Sequence, residues 1–424
     1  MVAFLIIMLF LFLALGFPIY ITLMLASMLA LLIYSDISPM IAVQRAFGGI
    51  DKFVLMSLPF FILGANAMDV GGLSTRIIKW ARAMVGHLRG GLAMTVQTSA
   101  MMFGALSGSS PATVVAIGRI LYPELIRQGY GKHFASGLVI QSGSVSLLIP
   151  PSITIILYAT STNTSVGALF MAGLGAGVFF GLVVLLYVYL YAIKNGLRRE
   201  VRASFKEMLQ ATKEAAWSLM VPLIIVGGIS FGIFTPTEAA GISAVYAILV
   251  GMFVYKEITW KKLYELCLSS AKTTAQVMIL IAASATFGWV LTVGQVPQKM
   301  AVFLSETFAT QFTFLLFLNV ALLIIGMFLD STIALVVIAP LILPTALQLG
   351  IDPIHLGIIM VLNLAIGTFT PPFGLNIFVS NSVTGLQLRE LLPGLMAFIA
   401  VSLLALAIVT YVPQISLFLP DLIY

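Results

Sequence analysis

The chain has 424 residues, of which 61% are hydrophobic and only 8% charged; a soluble fold would carry charge on about a quarter of its residues. The net charge of +6 is not a nucleic-acid signature, because most of the basic excess sits in short loops between apolar runs. Cys267 is the only cysteine, which excludes an internal disulfide and a cysteine-based metal cluster.

Many runs exceed the ~18 apolar residues of a spanning helix, so the expected fold class is an all-α polytopic membrane protein. The chain is apolar from Val2 and its first basic residue is Arg45, so the first run reads as a retained span rather than a secretory signal. Spans are expected near 2–16, 18–34 and 53–70, with Pro18 suited to a first helical turn. The segment near 92–122 divides at Ser107-Gly108-Ser109-Ser110-Pro111. Its limbs, roughly 15 and 12 residues, reach only about 22 and 18 Å as helix against a ~30 Å core, which favours a re-entrant hairpin. The next run, 135–160, is interrupted by Ser142-Gly143-Ser144-Val145-Ser146-Leu147-Leu148-Ile149-Pro150-Pro151-Ser152. Two successive prolines remove two N–H donors and clash with the turn before them, so the helix must unwind there. Lipid cannot solvate the carbonyls this bares, so protein or a water-filled cavity must cover them. A span at 166–193 completes the first half.

A cytoplasmic linker with an arm helix is expected at 194–216, followed by spans near 217–234, 236–255 and 270–293. A second hairpin near 312–347 splits at Asp330-Ser331 and has the longer first limb. A broken span near 355–380 is interrupted by Gly367-Thr368-Phe369-Thr370-Pro371-Pro372-Phe373-Gly374, and the last span lies near 391–418. The second Pro-Pro pair follows the first by 221 residues, and that offset also carries Ser110 onto Ser331, Pro123 onto Pro344 and Gly129 onto Gly350. Two repeats are therefore expected, 1–193 and 217–424, each with about five spans and one hairpin. An odd number of net crossings makes the second repeat inverted relative to the first. With an outside N-terminus, loops 71–91, 119–134, 194–216, 256–272 and 381–390 are cytoplasmic and hold 18 of the 21 Lys and Arg. That satisfies the positive-inside rule and leaves both termini outside. The first hairpin then enters from the cytoplasm and the second from the opposite face. Interleaved basic and apolar residues at Leu73–Arg82, Leu197–Trp217 and Ile258–Ser269 suggest arms lying along the lipid surface.

Two hairpin tips and two broken spans form a recurring transporter arrangement, with ligands near the midplane where discontinuous helices meet. Helix N-termini after the breaks offer N–H groups to an anion, and bared carbonyls and hydroxyls suit a hard cation such as Na⁺. One candidate cation site comprises Ser107, Gly108, Ser110, Ser144, Ser146 and the Ile149 carbonyl; its twin comprises Gly326, Asp330, Ser331, Gly367, Thr370 and the Phe373 carbonyl. For any one of these residues the alternative is a small side chain that merely permits close helix packing. Asp330 is the strongest individual candidate, since an acid inside an apolar hairpin is costly, although it also suits a helix cap. An enzyme is not expected, because His87 and His133 lie in basic loops and His355 at a span start, with no ligand or nucleophile partner at useful spacing.

The stretch from Gly104 to Thr113, the Pro150-Pro151-Ser152 break, Gly326-Met327-Phe328-Leu329-Asp330 and Thr370-Pro371-Pro372-Phe373-Gly374 resemble the large membrane subunit of tripartite ATP-independent periplasmic (TRAP) transporters. So do Leu58-Pro59-Phe60-Phe61 and Thr235-Pro236-Thr237-Glu238, and the resemblance covers essentially the whole chain. It implies an elevator-type importer of the bacterial inner membrane, driven by at least two Na⁺. It also implies a separate small four-helix membrane subunit and a periplasmic protein that delivers an organic anion. Carried onto this chain, the substrate would touch Ser109, Thr113, Ser144 and Asn376. Sialic-acid members carry an Asp and extra glycines after the first tip, where this chain has Pro111-Ala112-Thr113-Val114-Val115, so a smaller carboxylate or sulfonate is expected. The rival readings are a stand-alone Na⁺- or H⁺-coupled anion symporter and, remotely, an intramembrane enzyme.

Overall fold

A computed structural model of the chain describes residues 1–197, 199–308 and 310–424. Arg198, one of the basic residues counted in the linker, lies outside the described residues. Eight of the described helices are long and apolar enough to cross a membrane, so the chain is a polytopic all-α membrane protein, as its composition predicts.

The chain opens with α1 (Val2–Ala14) and α2 (Ile19–Tyr34), packed against each other. The 13 residues of α1 rise only about 20 Å, short of a ~30 Å core. Next comes α3 (Pro39–Ile50), which hydropathy does not reveal because it is short and mixed in polarity. Its start is nonetheless encoded, with Pro39 in the first turn and the Ser38 hydroxyl accepting from the Met40 N–H. A tight turn at Phe53–Met56 leads into α4 (Ser57–Val70), then the amphipathic α5 (Leu73–Val85). The first hairpin is α6 (Gly91–Ser107) and α7 (Ser110–Arg127). Its limbs have 17 and 18 residues, longer than the sequence suggests; the second continues through Glu124 and Arg127 beyond the apolar stretch.

The first broken span is α8 (Lys132–Ser142), a 3₁₀ stretch Gly143–Leu147 and α9 (Ile153–Thr162). Then comes α10 (Val166–Lys194). In the second half, α11 (Phe205–Pro222) passes through a wide π turn, Leu223–Gly227, into α12 (Gly228–Ser230). Pro222 lacks an N–H, and the wide turn accommodates that loss. The expected boundary between arm and span near 216/217 therefore falls inside one helix, started by a Ser204–Glu207 capping box. After α13 (Pro236–Leu249), the 34-residue α14 (Trp260–Val293) likewise joins the expected loop 256–272 to its span. Charged residues mark where a span leaves lipid, and they do not stop a helix.

An unexpected helix, α15 (Val296–Thr307), precedes the second hairpin of α16 (Gln311–Phe328) and α17 (Ser331–Gln348). Both of these limbs have 18 residues, so the expected longer first limb is not found. The second broken span is α18 (Pro353–Gly367) and α19 (Leu375–Thr384), followed by α20 (Leu388–Tyr411) and α21 (Gln414–Ile423). The expected last span, 391–418, thus ends early. Val412 precedes Pro413 and leaves the helical region, which divides α20 from α21. The 221-residue offset carries the starts of α7 and α8 onto those of α17 and α18, and the start of α3 onto that of α14.

Helices α6–α10 and α16–α21 form a central body, and α1–α4 with α11–α14 flank it. Its innermost runs are the two broken spans: 134–152 and 355–370 are buried without interruption. Helices apolar on every face belong at such a centre.

The basic loops meet at one end of the molecule. Arg76 pairs with Glu257 at 2.8 Å, and Arg82 bridges Glu124 at 2.7 Å and Glu200 at 2.6 Å. Gln128 donates to Glu200, and the His133 ring bonds the Glu390 carbonyl. Burial would raise the Glu200 pKa, but hydrogen bonds from Arg82 and Gln128 outweigh it and hold the carboxyl below its usual value. A depressed carboxyl stabilises the fold above its unfolded pKa, and that contribution fades as pH falls through the lower folded value. Glu200→Gln should therefore cost up to about 1 kcal/mol at neutral pH. Melting curves of the two proteins should converge in acid; a gap that persisted there would remove the ion pair as its cause.

Candidate functional site

The first hairpin tip and the first break interlock backbone to backbone. Gly108 ends α6 at φ +58°, and a Cβ there would run into the Pro151 carbonyl, so both conformation and space require glycine. At Gly104 an added Cβ would lie 2.8 Å from the Ser146 Cα, and at Gly143 one would lie 2.6 Å from the Ser110 carbonyl. This approach gathers three buried hydroxyls. Thr113 Oγ1 lies 2.7 Å from Ser146 Oγ and 3.3 Å from Ser107 Oγ, and also reaches the Ser109 carbonyl at 2.8 Å. The Ser109 N–H donates to Ser107 Oγ at 3.3 Å. Ser144 is buried too, but its hydroxyl donates to the Gln141 carbonyl at 2.7 Å and stays out of the cluster. Ile149 is buried where the break begins, its N–H bonded to the Val145 carbonyl at 3.2 Å.

The second tip is built alike but is more open. Gly326 and Gly367 face each other so closely that a Cβ on Gly367 would sit 2.7 Å from the Gly326 Cα. Ser331 Oγ donates to the Leu364 carbonyl at 3.2 Å, and Thr370 Oγ1 to the Ile366 carbonyl at 2.7 Å. Asp330 is exposed and caps α17, its carboxylate accepting the Thr332 N–H at 2.8 Å. Phe373 is 55% exposed, with the rings of Phe328 and Phe378 beside it.

Asn376 joins the two halves. It is fully buried in the first turn of α19, and its Nδ2 reaches Ser110 Oγ at 2.8 Å, Thr368 Oγ1 at 3.2 Å and the Ile140 carbonyl at 3.3 Å. Its Oδ1 is buried with no donor. A buried amide oxygen without a donor, in a group that also holds hydroxyls and carbonyls, is the kind of oxygen ligand a hard cation takes. Among the described residues no group of three or more His, Cys, Asp or Glu stands ready for a transition metal.

Sequence reasoning missed several participants. Ser152 closes the first break from both sides, donating to the Leu147 carbonyl at 2.6 Å and accepting from the Ile155 N–H at 3.3 Å. Thr368 braces Asn376 through its hydroxyl, and its carbonyl accepts the Asn376 N–H at 2.8 Å. Gln141 has a buried Oε1 with no partner, and a lone glutamine in an apolar run was the available signal. His355 is a satisfied core histidine, bonded to Ser416 Oγ at 2.6 Å and the Thr410 carbonyl at 3.2 Å.

The model of the family described as "Tripartite ATP-independent periplasmic transporter, DctM component" matches residues 6–415. The C4-dicarboxylate TRAP transporter large permease protein DctM of Pseudomonas aeruginosa is 42% identical, covering 94% of this chain and 93% of its own length. The isethionate TRAP transporter permease protein DctMQ of Oleidesulfovibrio alaskensis is 41% identical over 96% of this chain, which spans only 64% of that protein. The crystal structure of the Alcanivorax borkumensis YdaH transporter superposes with a TM-score of 0.61 at 16% identity, covering 87% of this chain and 86% of the other, a likeness of fold. The chain is a transporter permease rather than an enzyme, and it belongs to the DctM family of TRAP transporter large permeases.

Proposed function

We propose that this permease imports a small organic anion, a carboxylate or sulfonate, in symport with at least two Na⁺. The observation that carries the reading is Asn376, which ties the second break to the first hairpin tip while leaving one oxygen free for a cation. Na⁺ would bind among the hydroxyls, carbonyls and amide oxygen around the first tip, and at the matching breaks near Asp330, Ser331, Gly367 and Thr370. The substrate would lie between the tips near Ser109 and Thr113, facing helix N-termini. An unpaired anion at midplane is costly, so each ligand should favour the other's binding, and by linkage the effect is mutual.

In an elevator cycle the hairpins, the broken spans, α10 and α20 move together against α1–α4 and α11–α14. The two halves are taken as inverted repeats, with the basic end in the cytoplasm of a bacterial inner membrane and both termini in the periplasm. Contacts among the five basic loops support that orientation. A separate small membrane subunit would extend the flanking layer, and a periplasmic binding protein would deliver the anion. The relative named DctMQ, longer than this chain, supports a second membrane component.

Uptake of labelled C4-dicarboxylates and small sulfonates into proteoliposomes tests the reading, using the chain with its small neighbouring membrane protein. Uptake should require an inward Na⁺ gradient and the binding protein; uptake by the chain alone would favour a stand-alone symporter. Asp330→Asn keeps the helix cap and removes the charge. It should raise the Na⁺ concentration for half-maximal uptake about tenfold, a loss of ~1.4 kcal/mol. An unchanged Na⁺ requirement takes Asp330 out of the ion site.

A further inference from the structure

A cavity of about 220 Å³ lies between the flanking layer and the central body, at the end away from the basic loops. One wall is α14 and the junction between α3 and α4, supplying Gly49, Lys52, Ser284 and Gly288. The other is α9 and α17, supplying Thr160 and Pro340, and most of the remaining lining is aliphatic.

The lysine is there because the repeat is broken at this point. The residues that match the unbroken α14 at the 221-residue offset are α3 and α4, and they are interrupted at Asp51-Lys52. The interruption turns Lys52 into the gap, where Nζ donates to the Thr160 carbonyl at 2.6 Å, in the last turn of α9. An ammonium has three N–H groups, and among the described residues no second acceptor or carboxylate engages Lys52. Burial pushes this ammonium below its usual pKa, as expected of a cation without a counter-charge. Ser284 is 3% exposed and its hydroxyl has no hydrogen-bond partner. At Gly288 an added Cβ would meet nothing within 4 Å, so the wall is open there.

We propose that this cavity is a second ligand site, taking a compact organic monoanion with an apolar body. Its carboxylate or sulfonate would sit on Lys52 and its body against the aliphatic wall. One unpaired cation calls for one negative charge, and the volume falls below the ~300 Å³ at which pockets begin to enclose drug-sized molecules. The ligand would touch both layers and hold them in the arrangement seen here, inhibiting transport without competing with substrate. That consequence rests on the elevator reading, whereas the site itself does not.

Phenylacetate is a suitable probe and neutral 2-phenylethanol its control, with the full chain in lipid nanodiscs. Phenylacetate should bind saturably and raise the melting temperature, and phenylethanol should not. Lys52→Gln should weaken binding at least tenfold and Lys52→Arg should restore most of it. Gly288→Leu, which fills the open wall, should abolish binding. Equal binding of phenylethanol would overturn the proposal, as would phenylacetate affinity surviving in both Lys52→Gln and Gly288→Leu. In uptake assays phenylacetate should lower the maximal rate with KM unchanged; purely competitive inhibition would place the probe at the hairpin tips instead, against the proposal. Binding without any inhibition would leave the site standing and overturn the relative motion of the two layers.

Discussion

Gly367→Val should abolish Na⁺-driven uptake and lower stability by on the order of 3 kcal/mol. The first carbon of any side chain there would lie 2.7 Å from both the Gly326 Cα and its carbonyl carbon, and 2.9 Å from the carbonyl oxygen. These are backbone atoms, so no rotamer change relieves the contact, and α16 must move away from α18. Ser331 on the following limb bonds the Leu364 carbonyl, so the same displacement would pull the second hairpin off its break. Uptake measured beside the melting temperature checks this. Wild-type uptake by a folded Gly367→Val protein would show that this close approach is dispensable.

Asn376→Ala should raise the Na⁺ concentration for half-maximal uptake by about ten- to a hundredfold. The change removes three contacts at once and leaves the Ser110 hydroxyl and the Ile140 carbonyl short of a buried partner. Each such loss costs about 1–3 kcal/mol, and a tenfold change in affinity needs ~1.4 kcal/mol. A purely structural asparagine would predict lower yield and melting temperature with an unchanged Na⁺ requirement. Na⁺ titration of the purified variant separates the two, because the free Oδ1 counts only if it meets a cation.

Much of this arrangement was readable from the chain, for a physical reason. A proline pair in an apolar run has few interpretations in lipid, so both breaks and both hairpin tips fall where the residues place them. The serine at each tip and the glycines beside the breaks are legible as well, because they stand out against leucine and isoleucine. What the sequence hid was continuity. Hydropathy registers only the apolar part of a helix, so the basic beginnings of α11 and α14 read as separate arms. Short helices of mixed polarity, α3 and α15, gave no periodic signal long enough to see.

The site was legible in its members and less so in their roles. Asn376 was expected to touch substrate, and the structure buries it between the halves, where only contacts across 266 residues of sequence could place it. Ser144 was expected at the site, yet its hydroxyl is engaged by its own turn. Asp330 was expected as the leading ion ligand, and it is held as a cap at an exposed tip. Asn376 and Ser144 turn on long-range packing or on which of two local bonds a hydroxyl makes, and residue type alone does not decide that.

The interruption between α3 and α4 bears on how such a machine rests. If the halves were identical, exchanging their conformations would convert one end state into the opposite-facing one at no net free energy. At the matching positions stand Thr273, bonded within α14, and Asn381, bonded to the Leu386 carbonyl. The lysine-to-helix-end contact therefore exists on one side only. On the alternating reading proposed above, this one-sided contact would be one of the differences between the halves that give the idle permease a preferred facing. The Lys52→Gln protein reports on this too: its resting population should shift toward the opposite state, and an unmoved population would locate the bias elsewhere.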